Sequence, residues 1–225
     1  MAAVDVCNLA LLLVGEEKVT SLSDTTNKAS VLANTIYTQK RNEVFDMPIN
    51  WKFATTRSPA LTAHSSNPAT GTFDYYYVLP TNLRRIIDVI DSEGDKMQYP
   101  WARELHVSTG ESPVLTPVIA CNETSVYLKY IYLVDDTDKW PSWFTWLVVA
   151  KIAQVLVEPI KQDKGGLIRV IYQTYQDALR DALAGNQSWD SDTNESSVNL
   201  DYGNTDILDA AGSELSNTYP RIVER

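Results

Sequence analysis

The run VYLKYIYLV (126–134), DDTDKWP (135–141), SWFTWLVVAKIAQVLVEPI (142–160) passes directly from a strand pattern to a helix pattern. In the first part Val126, Leu128, Tyr130 and Tyr132 fall on one face of a strand, and Tyr127, Lys129, Ile131 and Leu133 on the other. Both faces carry large side chains, so this strand is central in a sheet or turns one face to another subunit. The second part is apolar on nearly all sides. Pro141 suits the first helical position, where its missing amide costs nothing. A bilayer-crossing helix needs about 20 predominantly apolar residues. Here Lys151, Gln154, Glu158 and Pro159 interrupt the run, which therefore reads as a buried core helix over 141–158.

Working outward, three more helical patterns appear. One covers 4–14, with Val6, Leu9, Ala10 and Leu13 on one face and Gly15 placed for a left-handed cap. A second covers 24–46: Ser23 or Asp24 offers an N-cap, Ala29, Leu32, Ala33, Ile36, Tyr37 and Val44 form the apolar face, and Pro48 stops it. The short loop between these two predicts a helical hairpin. The last covers 167–184, with Ile168, Ile171, Tyr172, Tyr175, Ala178, Leu179 and Ala182 at intervals of three and four and Gly185 as its stop. Residues 51–135 change period. Phe73–Leu79, Leu83–Ile90, Val114–Cys121 and Val126–Val134 are β-branched or aromatic runs separated by turn residues. The expected fold class is α+β: an antiparallel bundle of about four helices (1–50 and 136–185) with an inserted small antiparallel β-domain (51–135) and an extended C-terminal arm (186–225).

Charge and cysteine usage remove several function classes. The chain carries 29 acidic against 19 basic residues, and so lacks the overall basic footprint of a protein that grips nucleic acid by its phosphates. Cys7 and Cys121 stand far apart without ligand spacing and read as buried apolar residues of a protein made in a reducing compartment. Met1 to Val14 carries Asp5 and no basic region, which argues against a signal peptide. The sequons at Asn122, Asn186 and Asn194 then carry no weight.

Motifs for chemistry are sparse. There is no dinucleotide fingerprint and no phosphate-binding loop, and Lys164-Gly165-Gly166 reads as a turn. His64 and His106 lie in turn-rich stretches without partners at ligand spacing, so they read as surface or loop histidines, and no metal or cofactor is expected. Glu16 with Glu17, Asp88 with Asp91, and Asp135, Asp136 and Asp138 are the acid clusters a hydrolase would draw on, but they sit where helix ends and turns also want acids. Catalysis is not expected. Tyr75, Tyr76 and Tyr77, and Trp140, Trp143 and Trp146, form an aromatic surplus that points to protein contact, with glycan stacking in a cell-wall hydrolase or carbohydrate-binding module as the alternative.

The landmarks occur in a telling order: Asn8 and Val14-Gly15-Glu16, then Val19, Ser21 and Leu22, a helix, Trp51-Lys52-Phe53-Ala54-Thr55, Tyr77-Val78-Leu79-Pro80, and Trp140-Pro141 with Phe144, Leu147 and Ala150. Over about residues 4–185 this series resembles the tail tubular protein A family, the adaptor or gatekeeper rings of short-tailed bacteriophages. The resemblance implies a structural virion protein: one subunit of a dodecameric ring, assembled in the host cytoplasm, between the portal protein and a tail nozzle of the tail tubular protein B type. Tail fibres are a further expected partner. DNA would pass through the channel without specific binding, and no membrane is involved. Such proteins reach along the portal with their C-terminal segments, which would give 186–225 a use.

That segment is polar with recurring apolar residues. Leu200, Tyr202, Ile207, Leu208 and Tyr219 are the expected portal-binding anchors, because apolar side chains are the main source of docking energy in such a stretch. It holds eight acids and two bases, a net of -6 out of the chain's -10, and so predicts a partner groove of positive charge.

Overall fold

A computed structural model describes residues 1–64, 72–91, 94–107, 115–160 and 165–189. Among these residues there are four helices, α1 (Ala3–Leu13), α2 (Lys28–Phe45), α3 (Ser142–Ile160) and α4 (Gly165–Ser188). Six strands form two small antiparallel sheets: β1 (Thr55–Arg57), β2 (Tyr75–Val78), β3 (Leu83–Ile90), β4 (Trp101–Val107), β5 (Leu115–Cys121) and β6 (Tyr127–Tyr132). The chain is thus mixed α+β. One sheet runs β1-β6-β3 and the other β2-β5-β4. Residues Met1–Trp189 form one compact unit.

The helical core forms around α3. It is the one helix among the described residues long and apolar enough by composition to cross a membrane. Phe144, Leu147, Val148, Val149, Ile152, Ala153, Leu156 and Val157 are nonetheless buried, against α1, α2 and α4. α1 and α2 each lie mainly on α3 and touch one another little. Where α3 ends, Lys28 Nζ donates to the Pro159 carbonyl at 3.3 Å, a cation placed against the negative end of the helix dipole. α3 begins at Ser142 rather than Pro141: the Pro141 carbonyl accepts from the Phe144 and Thr145 amides, both at 3.0 Å. Pro159, expected to end α3, lies inside its last turn.

β6 resolves the two readings of its sequence. It is the central strand of its sheet, and both of its faces are covered within the chain. Val126, Leu128 and Tyr130 join Tyr77, Ile119 and Cys121 of the opposite sheet in a sandwich core. Ile131 and Val134 belong to the core of the helices. The sheet is a wall shared by two cores, which is why alternation of large residues on both faces was required there.

Trp51 ties the wall to the helices. Phe45, Trp51, Phe53, Trp140, Trp143 and Phe144 form one ring cluster, with Trp51 5.2 Å edge-on to Phe144 and 6.0 Å from Trp143 by centroids. The buried indole nitrogens are satisfied: Trp51 Nε1 donates to Val44 O at 2.9 Å and Trp140 Nε1 to Val134 O at 2.8 Å. The Trp51–Thr55 and Trp140–Phe144 landmarks, far apart in sequence, meet here.

Local chemistry sets several boundaries. Gly15 has a positive φ of 73°, its amide donates to Leu12 O, and the Glu16 amide donates to Leu11 O. That is the paired Schellman pattern expected of glycine after a helix. Asn8 then pins the following loop, accepting from Val19 N–H at 2.8 Å and donating to Val19 O at 3.0 Å. α2 begins later than expected, because Asn27 caps it by accepting from the Ala29 and Ser30 amides. Asp24 instead closes its own turn on Thr26, and Ser23 caps nothing.

The expected stop of α4 at Gly185 is incorrect. The helix continues to Ser188, and Gly185 is there because a Cβ would sit 2.5 Å from Trp143 Cδ1. The neighbouring Asn186 is buried, accepts from Lys52 N–H at 2.9 Å and donates to Asn50 O at 3.0 Å, so it belongs to the body and not to an arm. This packing reverses the usual sign of a glycine replacement. In an exposed helix Gly→Ala is worth about 1 kcal/mol of stabilisation. Here overpacking against an indole held by other rings costs roughly 1–3 kcal/mol. Gly185→Ala is therefore expected to lower the urea midpoint. A raised midpoint would show that the indole moves away freely.

Candidate interaction surface

The expected anchors Leu200, Tyr202, Ile207, Leu208 and Tyr219 lie outside the described residues. Several of the candidate acids have structural duties. Asp135 pairs with Arg41 at 2.8 Å, Asp136 caps the short turn Thr137–Lys139, and Asp88 lies 3.2 Å from Lys96. Asp91 accepts from the Asp95 amide at 3.1 Å. Tyr75–Tyr77 do not make a stacking platform, because alternate residues of β2 point to opposite faces. Tyr76 and Tyr77 are 2% and 3% exposed. Tyr77 Oη donates to Glu123 O at 2.7 Å, and burial pushes its hydroxyl up to about 12. Burial likewise pushes the Cys7 thiol up to about 12, so it stays protonated and inert, as a buried apolar cysteine should.

His64 lies outside the strands, as expected, and is half-buried, but His106 is not a surface or loop residue. His106 lies on β4 and is only 9% exposed, and its ring packs on that of His64 at a tilt of 32° with centroids 4.1 Å apart. Tyr76 meets the same ring edge-on at 5.9 Å. His106 Nδ1 has no hydrogen-bond partner among the described residues. No group of three or more metal-ligating side chains is found among them either. Sequence spacing missed the pair because the two rings come from segments 42 positions apart that only the sheet brings together.

β4 was also missed, and it is the element that presents surface. A sheet edge invites pairing unless it is short, bulged or covered. Three of the four edges here are managed in that way. β1 has three residues. β2 is flanked by residues 62–64, with Val78 N–H donating to Thr62 O and His64 N–H to Tyr76 O. β3 has two register shifts and is flanked by residues 96–97, where Met97 N–H donates to Val89 O at 2.9 Å. β4, seven residues long, has β5 on one side and no strand among the described residues on the other.

Register fixes what this edge displays. Leu105 stands opposite Pro117 of β5, and Val107 opposite Leu115. The Pro117 carbonyl accepts from Leu79 N–H at 3.1 Å, on the β2 side. In an antiparallel pair opposed residues turn their backbone groups both inward or both outward, so Leu105 directs its N–H and C=O to the open edge. Trp101, Arg103 and Val107, two residues apart, do the same. Their side chains share one face, together with Leu115. Leu105, Val107 and Leu115 are 64%, 52% and 62% exposed, and Trp101 and Tyr99 add to the row. No protein-family model matches this chain, and no curated protein does. What β4 offers chemically is a backbone edge with no strand beside it among the described residues, flanked by exposed apolar side chains that Arg103 interrupts, the combination that another protein strand completes.

Proposed function

We propose that this chain is a structural virion protein, a subunit of the adaptor ring that joins the portal to the tail nozzle of a short-tailed bacteriophage and forms part of the channel for DNA ejection. The observation that carries this reading is the open apolar edge of β4, which leaves the isolated chain with a surface suited to another protein. The order of landmarks along the sequence, Asn8, Gly15, Trp51 and Trp140 among them, is the resemblance on which the reading rests. The body, residues 1–185, carries only -4 of the chain's -10, so charge gives the channel only mild support, and most of the acidity belongs to the segment proposed to dock on the portal. In the finer architecture of this reading, an antiparallel helical bundle holds an inserted β-domain, and the segment after Trp189 docks along the portal through Leu200, Tyr202, Ile207, Leu208 and Tyr219. The ring is a dodecamer. Nozzle and tail fibres complete the set of partners, and no catalysis, cofactor or membrane is involved.

Purified virions provide the first test. Mass spectrometry of particles separated from free protein on a density gradient should find this chain in near-constant ratio to the portal protein. Its absence from particles that retain portal and tail would overturn the adaptor role.

A further inference from the structure

β4 is self-complementary, and we infer that in the free protein it pairs with β4 of a second copy about a two-fold axis. Backbone groups of Trp101, Arg103, Leu105 and Val107 point outward, so these must face each other and not the even-numbered residues. Three registers that pair five or more residues of β4 satisfy this. An axis at Arg103 sets two guanidinium groups opposite each other, and an axis at Glu104 opposes two carboxylates; like charges directly opposite are destabilising. An axis at Leu105 avoids these clashes. It sets Leu105 against Leu105, Arg103 against Val107, and Glu104 of each copy against His106 of the other.

This register uses what the monomer leaves over. The Leu105 backbone groups exchange two hydrogen bonds across the axis, and each Arg103–Val107 pair adds its own. Leu105 and Val107, exposed in the single chain, gain apolar neighbours from the other copy and join the strip that continues to Leu115. On the opposite face an acid meets an imidazole twice. Pairing of this kind is isologous and closes at two subunits, so it hides the edge without starting a fibre. It rests on the reading of β4 as a protein-contact edge, and not on the adaptor role.

Sedimentation velocity and cross-linking test it together. Wild-type protein is expected to sediment at twice the 25.2 kDa chain mass. Leu105→Lys sets two ammonium groups opposite each other on an exposed site, and should return a folded monomer with an unchanged circular dichroism spectrum. Leu105→Cys should form an intermolecular disulfide under mild oxidation, since directly opposed residues of such a pair lie about 5.5 Å apart, within disulfide reach. Trp101→Cys should not, because its opposite number in this register is position 109. Both native cysteines are buried and leave the readout clean. A wild-type monomer, an assembly of any size indifferent to Leu105→Lys, or cross-linking at position 101 in place of 105 would each overturn the inference. Failure here and failure of the adaptor reading are separable. A monomer that still builds a ring on the portal removes only the pairing, and a two-fold dimer never found in virions removes only the adaptor role.

Discussion

Trp51→Ala should be the most damaging single truncation in the chain, lowering the melting temperature by roughly 10 °C or more. Trp51 is fully buried in the six-ring cluster, and cutting a buried aromatic to alanine costs about 3–5 kcal/mol. The Val44 carbonyl loses its indole donor as well, at 2.9 Å. Against a total of about 5–15 kcal/mol for a domain, such a loss is a large share of all stability. For a chain of this size 1 kcal/mol corresponds to about 2–4 °C, which gives the expected shift. Trp51→Phe keeps most of the ring contact and loses the hydrogen bond, so it should fall between the two. Calorimetry on the three proteins checks the ordering. If Trp51→Phe were as damaging as Trp51→Ala, the hydrogen bond and not the ring packing would dominate.

Truncation after Trp189 is the second large effect, and it falls on function. Removing residues 190–225 takes away all five proposed anchors and a net charge of -6, and leaves Asn186 with its two clamping hydrogen bonds. The melting temperature should stay within a few degrees of that of the whole chain. Attachment to the portal should be lost. The contrast with a cut after Gly185 is informative, because that cut removes Asn186 and leaves Lys52 N–H without its side-chain acceptor. An unmet buried polar group costs about 1–3 kcal/mol, so the longer truncation should be visibly less stable. Normal portal attachment by the chain ending at Trp189 would remove the arm from the account.

The features that could be read from sequence are those set by local chemistry or by a long repeating pattern. α3 is legible because apolar residues surround it for five turns, and the Gly15 cap because only glycine takes that φ without cost. β3 is legible to the residue, and β6 announced its two covered faces. What could not be read depends on contacts made across the fold. Five cap-competent residues, Ser23, Asp24, Thr25, Thr26 and Asn27, crowd the start of α2, and nothing local says that Asn27 wins. Gly185 looked like a stop because the indole of Trp143, which explains it, comes from another helix. β4 reads Trp-Ala-Arg-Glu-Leu-His-Val, with charges in its centre, since an exposed edge strand has no need of the apolar run that marks a buried one. The histidine pair and the open edge were invisible for the same reason, so the most informative surface of the molecule lies on the strand that pattern reading passed over.

Electron microscopy of the whole chain mixed with the candidate portal protein tests the adaptor role. A ring of this protein stacked coaxially on one face of the portal, with an open central channel, is the expected result. Portal particles left bare by a folded excess of this chain would contradict it.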